Sequence, residues 1–166
     1  MAPTPTATER HWLTTASPTV EAVVNPFVAA CTERGYVPDV IRILSNPGVE
    51  AATERATALV DDVVAAHDGE SPTIDVVTID SERDFEAIVD FHRAGIKDAR
   101  DAGADVAVDV TPGRKFMSAI AFQAGIQFDA DRVFYLYLDS SDYYDRVYPD
   151  IPRPGVDLID FAEVFA

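Results

Sequence analysis

Two cations stand side by side in a chain that has few of them. Arg114 and Lys115 close the segment Thr111-Pro112-Gly113-Arg114-Lys115, which lies between a Val- and Ala-rich run from Asp105 to Val110 and an apolar helical pattern. A buried strand that feeds a small-residue loop with two cations at a helix start is suited to holding an anion. The free N–H groups of a first helical turn point outward, the dipole there is positive, and Arg and Lys add charged donors. Cations at that end of a helix are unfavourable unless an anion compensates them. A second polar segment, Thr14-Thr15-Ala16-Ser17, ends the β-prone run His11–Thr15 and offers hydroxyls that suit phosphate or ribose oxygens. The plain alternative for the first segment is an ordinary strand-to-helix turn with two exposed cations.

Other chemistries find little support. Neither a G-x-G-x-x-G dinucleotide fingerprint nor a G-x-x-x-x-G-K-[ST] loop is present. His11, His67 and His92 lie in different predicted elements without metal-ligand spacing, so no metal is expected. Cys31 is the single cysteine, which excludes an internal disulfide and a cysteine cluster for zinc, and it falls on an apolar helical face. Asp139-Ser140-Ser141-Asp142 reads as a solvated cap for the segment after it, with contact to a ligand hydroxyl or a cation as the lesser reading. Tyr143, Tyr144 and Tyr148 suit either base stacking or an aromatic-lined loop or dimer contact.

The elements that must position these residues follow from periodicity. Ser17 is a good N-cap and Pro18 suits a first helical position. Val20, Val23, Val24, Phe27, Val28 and Cys31 then mark one helical face up to Gly35. Pro26 inside this pattern should kink the helix or split it, and a kinked helix is expected. Val40–Leu44 reads as a buried strand closed by Ser45-Asn46-Pro47-Gly48. The next helix turns Ala52, Ala56, Leu59, Val60, Val63 and Val64 inward. Ile74–Ile79 is a third strand, and Ser81 with Asp84 resembles a capping box for a helix that stops at Gly103. Asp105–Gly125 supplies a strand and a helix, Arg132–Leu138 a fifth strand, and Val156–Phe161 a short sixth. This alternation predicts an α/β, three-layer, Rossmann-like, doubly wound and mostly parallel sheet of five to six strands. Order 3-2-1-4-5 puts the switch point between the first and fourth strands, where ligands bind beyond the carboxyl ends. The two polar segments then converge on one crevice.

Composition bounds the rest. The chain has 166 residues and 48% hydrophobic content, which suits one domain over residues 11–166 behind a disordered leader at residues 1–10. Thirteen Lys and Arg against 29 Asp and Glu give a formal charge of −16, which should repel duplex DNA and anionic membranes. Lys97 and Lys115 are the only lysines, and the acidic surface fits a halophilic protein kept hydrated at high salt. No apolar run approaches transmembrane length and no signal-peptide pattern opens the chain, so a cytoplasmic location is expected.

The stretch Asp109-Val110-Thr111-Pro112-Gly113-Arg114-Lys115-Phe116-Met117-Ser118 resembles the D-x-T-G-G-T-K-x-M-S signature of CRISPR-associated Rossmann-fold (CARF) domains. Thr14–Glu21 also resembles the first-strand loop of that family, and element order matches from about residue 11 to about residue 161. Pro112 replaces the first Gly of the signature and removes a backbone donor; Arg114 replaces its Thr and offers a guanidinium instead.

The resemblance implies a homodimer that binds a cyclic oligoadenylate, in particular cyclic tetra-adenylate, in type III CRISPR signalling, with no cofactor. Two-fold symmetry presents the same loops twice to an even-membered ring. Carried over by position, Thr14, Thr15, Ala16 and Ser17 line one loop. Thr111, Pro112, Gly113, Arg114, Lys115 and Ser118 line the other, while Ser45 and Asn46 border the adenine pocket. The chain offers no room for an effector domain, so the resemblance implies a stand-alone member similar to ring nucleases. In that chemistry Lys115 and Arg114 stabilise charge while Ser17 orients the phosphate. The alternatives are a non-catalytic sensor or sponge, and an unrelated Rossmann-like enzyme acting on a mononucleotide or sugar phosphate.

Overall fold

In the computed structural model, residue 2 and residues 6–166 are described, and part of the expected leader, residues 1 and 3–5, lies outside them. Six strands form one sheet: β1 (Arg10–Thr15), β2 (Val40–Ser45), β3 (Thr73–Thr78), β4 (Asp105–Asp109), β5 (Arg132–Leu138) and β6 (Val156–Asp160). Their order is β3-β2-β1-β4-β5-β6, and all pairings are parallel except the last. The expected order and switch point between β1 and β4 are therefore present.

Helices α1 (Val20–Arg34) and α2 (Glu50–Ala66) cover one face; α3 (Phe85–Asp101) and α4 (Lys115–Gln127) cover the other. Successive residues of a strand face opposite layers, so Trp12 and Leu13 enter different cores. On the α1 side Trp12 meets the Phe27 ring edge-on at 5.3 Å and stacks on Phe134 at 5.9 Å. On the α3 side Leu13, Val106, Val108 and Val133 meet Ile88, Ile96 and Met117. The central strands are buried on both faces, which explains their unbroken apolar runs.

Several local expectations are corrected. Helix α1 begins at Val20 with Thr19 as N-cap, because the Ser17 hydroxyl accepts the Thr19 N–H within the preceding turn. Pro18 therefore precedes the helix. The helix runs through Pro26 as one element to the left-handed Gly35, so of the two readings at Pro26 only the split is excluded. The N-cap of α3 is Asp84, which accepts the Ala87 N–H; Ser81 instead accepts from Arg83 in the turn before. Leu59 is exposed, since the row Ala56, Val60 and Val64 occupies the inner face of α2. The last strand stops at Asp160, whose carboxylate takes the Ala162 N–H and starts the short helix α5 (Phe161–Val164). Among the described residues no helix is long and apolar enough to cross a membrane.

Candidate functional site

The site is built where β1 and β4 end side by side. Their register pairs Leu13 with Val108, which brings Thr14 opposite Asp109 at the carboxyl edge. Beyond that edge the two chains part. After β1, the Ala16 N–H is bound to the Leu44 carbonyl of β2 at 2.8 Å, which fixes where Ser17 emerges. After β4, the Val110 N–H goes to the Phe134 carbonyl of β5, and the chain turns through Pro112 and Gly113.

Gly113 adopts φ +94°, a conformation that side chains rarely accept. A Cβ there would also sit 3.2–3.3 Å from Met117 and the Thr15 methyl. Arg114 is the N-cap and Lys115 the first residue of α4, so both cations stand at the positive end of a 13-residue helix.

Beneath the loops lies a buried polar hub. Asp109 is 1% exposed; one of its oxygens accepts the Thr14 hydroxyl at 2.9 Å and the other accepts the Thr111 N–H at 3.0 Å. The Thr111 hydroxyl in turn accepts the Leu136 N–H at 3.0 Å, tying the loop to β5. Burial pushes the Asp109 carboxyl up to about 7, against the bonds from Thr111 and Thr14 that favour its ionised form.

Two cavities open above this hub. One, of about 310 Å³, is lined by Thr111, Pro112 and Gly113, by Ser17, by Tyr135–Leu138 of β5 and by Tyr144. The other, of about 420 Å³, is lined by Ala16–Pro18, Asn46–Val49, Gly113, Arg114 and Glu82. Ser17 and Gly113 line both, so the cavities are two halves of one groove with these residues at its waist.

The sequence-derived residues thus separate into layers. Ala16, Ser17, Asn46, Thr111, Pro112, Gly113 and Arg114 line the groove. Thr14 and Thr15 are buried below it, and Lys115 is exposed beside it. Ser118 is half-buried behind the loop, with its hydroxyl directed to the Pro112 carbonyl at 3.4 Å. Ser45 is buried and hydrogen-bonded to the Thr53 hydroxyl at 3.0 Å, facing a depression beside α2.

The aromatic loop also divides. Tyr144 lines the groove, Tyr148 is buried with its hydroxyl donating to Glu33, and the Tyr143 ring lies under the Arg146 guanidinium. Ser140 caps the turn at Asp142, as the cap reading expected.

Sequence reasoning missed Glu82, Tyr135 and Tyr137. The Glu82 carboxylate takes the Arg114 Nε–H at 2.7 Å, a pairing across 32 residues with no local signal. Tyr135 and Tyr137 were signalled by alternate aromatics in RVFYLYL. Among the described residues Lys115 has no ion-pair partner. His92 is fully buried, and burial lowers its imidazole to about 4, which keeps it neutral in the core. No group of three or more His, Cys, Asp or Glu among the described residues could hold a metal ion.

Residues 32–152 match the family described as CRISPR-associated protein NE0113, and the chain belongs to that family. The CARF resemblance read from the loop motif is thereby borne out. Solved structures share the fold. Csm6 of Enterococcus italicus, bound to cyclic hexa-2′-fluoro-hexa-dAMP, is 14% identical with a TM-score of 0.61, over 96% of this chain and 43% of its own. A type III CRISPR defence DNA nuclease activated by cyclic oligoadenylate is 21% identical with a TM-score of 0.56, over 82% of this chain and 20% of its own. Can2 of Sulfobacillus thermosulfidooxidans, in complex with cyclic tetra-adenylate, is 16% identical with a TM-score of 0.50, over 81% and 33%. This chain thus spans less than half the length of each. No curated protein matches it by sequence.

Proposed function

We propose that this protein binds a cyclic oligoadenylate, most simply cyclic tetra-adenylate, across a two-fold homodimer, and so takes part in type III CRISPR signalling. The observation that carries the reading is the shared waist: Ser17 from the β1 loop and Gly113 from the β4 loop line both halves of one groove. A groove with two halves suits neighbouring nucleotides of a ring better than one isolated phosphate. The start of α4, Lys115 and the guanidinium of Arg114 supply positive charge beside that waist. Tyr135, Tyr137 and Tyr144 offer aromatic surface for a base in one half. The family match and the ligands named with Csm6 and Can2 support the choice of ring over mononucleotide.

Cleavage of the ring is the further step of the proposal. A ribose 2′-hydroxyl held in line attacks its own phosphorus, the P–O5′ bond breaks, and a 2′,3′-cyclic phosphate and a 5′-hydroxyl result. No metal is needed, and the protein's part is to align the groups and stabilise the charged phosphorane. Lys115 and Arg114 are the groups proposed to do so, with Ser17 holding the phosphate.

The test is incubation with labelled cyclic tetra-adenylate in high salt, together with calorimetry. Tight binding of the ring is expected, and Lys115→Ala should weaken it about tenfold, in line with loss of one charge-assisted contact. Linear product that vanishes in Lys115→Ala supports a ring nuclease; an intact ring after long incubation leaves a sensor or sponge. Tight binding of a mononucleotide but not of the ring overturns the reading.

A further inference from the structure

The proposed chemistry does not use the most deeply buried carboxylate near the groove. Asp109 lines neither half of the groove, yet it contacts both segments that do. Its two oxygens face in different directions along the sheet edge. One takes the hydroxyl of Thr14, three residues before Ser17; the other takes the amide of Thr111, two residues before Gly113. Thr14 and Asp109 are 95 residues apart in sequence, and this contact joins the carboxyl ends of the paired strands β1 and β4, from which the two loops leave. Thr111 is held at both ends, since its hydroxyl accepts the Leu136 N–H while its own N–H goes to Asp109.

We propose that Asp109 is a positioning residue that clamps the two groove-lining loops together from beneath and thereby fixes the separation of Ser17 and Gly113. The inference rests on the groove reading given above. Three observations support it. The carboxylate is 1% exposed and both its oxygens are bonded, so it is not a residue waiting for a substrate. Burial raises its pKa toward neutrality, so the fold keeps an ionisable group where an apolar one would avoid the desolvation cost. Finally, the bonds end on Thr14 at the end of β1, just before its loop, and on Thr111 within the β4 loop, not on the helices behind them, so they act directly beneath where the ligand would sit. Either protonation state can be accommodated, because the Thr14 hydroxyl can turn from donor to acceptor while the Thr111 N–H keeps its partner.

The experiment compares Asp109→Ala, Asp109→Asn and Thr14→Val with the wild type by amide hydrogen exchange, thermal melting and binding of cyclic tetra-adenylate. Asp109→Ala should speed exchange at Thr111 and at the loop-root amides of Ala16 and Val110 by about tenfold or more, with the rest of β1 and β4 unchanged. Its affinity for cyclic tetra-adenylate should fall about tenfold. Asp109→Asn keeps an acceptor for Thr111 and a partner for Thr14, so it should restore both readouts to within about threefold of wild type. A merely structural role would lower the melting temperature without this loop-specific exchange and without rescue by Asn.

If Asp109→Ala does not fold, Thr14→Val removes one arm of the clamp with little change of volume and should speed exchange at Ala16 in the same way. Wild-type exchange in both loops of either folded variant overturns the proposal. If the wild type itself fails to bind cyclic tetra-adenylate, the functional reading falls, while the exchange measurement still decides the clamp.

Discussion

The base of the site and its tip are made differently. At the base, Thr14, Asp109 and Thr111 are buried or half-buried, and their polar groups are bonded across β1, β4 and β5. At the tip, Arg114 and Lys115 are exposed, one with a single carboxylate partner and the other with none among the described residues. The base spends its hydrogen-bonding capacity on itself; the tip leaves its capacity available. The difference teaches that the charge at the tip is left available to an anion, as the proposed function requires, whereas hydroxyls nearby in sequence hold the frame beneath it.

The comparison breaks most sharply at Gly113, where base and tip meet. Gly113→Val should cost about 1–3 kcal/mol of stability, since a branched side chain at positive φ is strained, and it would also press on Met117 and Thr15. Chemical denaturation and ring binding should both register the change, and a Val variant with wild-type affinity would show that the turn's conformation is irrelevant to the ligand.

The next effect belongs to the base alone. The Asp109 carboxyl is raised in the folded protein from 3.8 to about 7, so its contribution to stability is fully present below 3.8 and is lost as pH rises through about 7. Melting curves of wild type and Asp109→Asn between pH 4 and 8 should therefore diverge, with the wild type losing stability relative to the variant as pH rises. Parallel curves would mean that the carboxylate titrates as an ordinary surface group.

The smallest effect concerns the tip alone. Glu82→Gln breaks an exposed ion pair and should change stability by less than about 1 kcal/mol. Removing a negative charge from the groove should at the same time raise affinity for the anionic ring by about two- to fivefold, an exposed pair's worth of free energy. A fall in affinity would instead assign Glu82 the task of aiming Arg114.

Much of the frame was legible because parallel strands buried on both faces write themselves as apolar runs, and the alternation with helices dictated the sheet. The antiparallel pairing of β6 was not legible, since a short edge strand carries no mark of its direction. Within the site, the loop Thr111–Lys115 stood out by its cations. Which hydroxyls faced the groove did not, because that depends on the pleat: Thr14 points toward Asp109, and Ser45 toward Thr53 on α2. Glu82 was invisible for another reason. In a chain with 29 acidic residues, the one that meets Arg114 is chosen only by tertiary approach.

The junction of the two cavities at Ser17 and Gly113 carries a thermodynamic consequence. A molecule with two linked units, one in each half of the groove, meets the second half at the effective concentration set by its own linkage. Its avidity can then exceed what either unit achieves alone without any additional contact. A ring opened at one bond would keep its units linked in a linear chain, so it would retain part of that avidity and lose only the preorganisation of the closed ring.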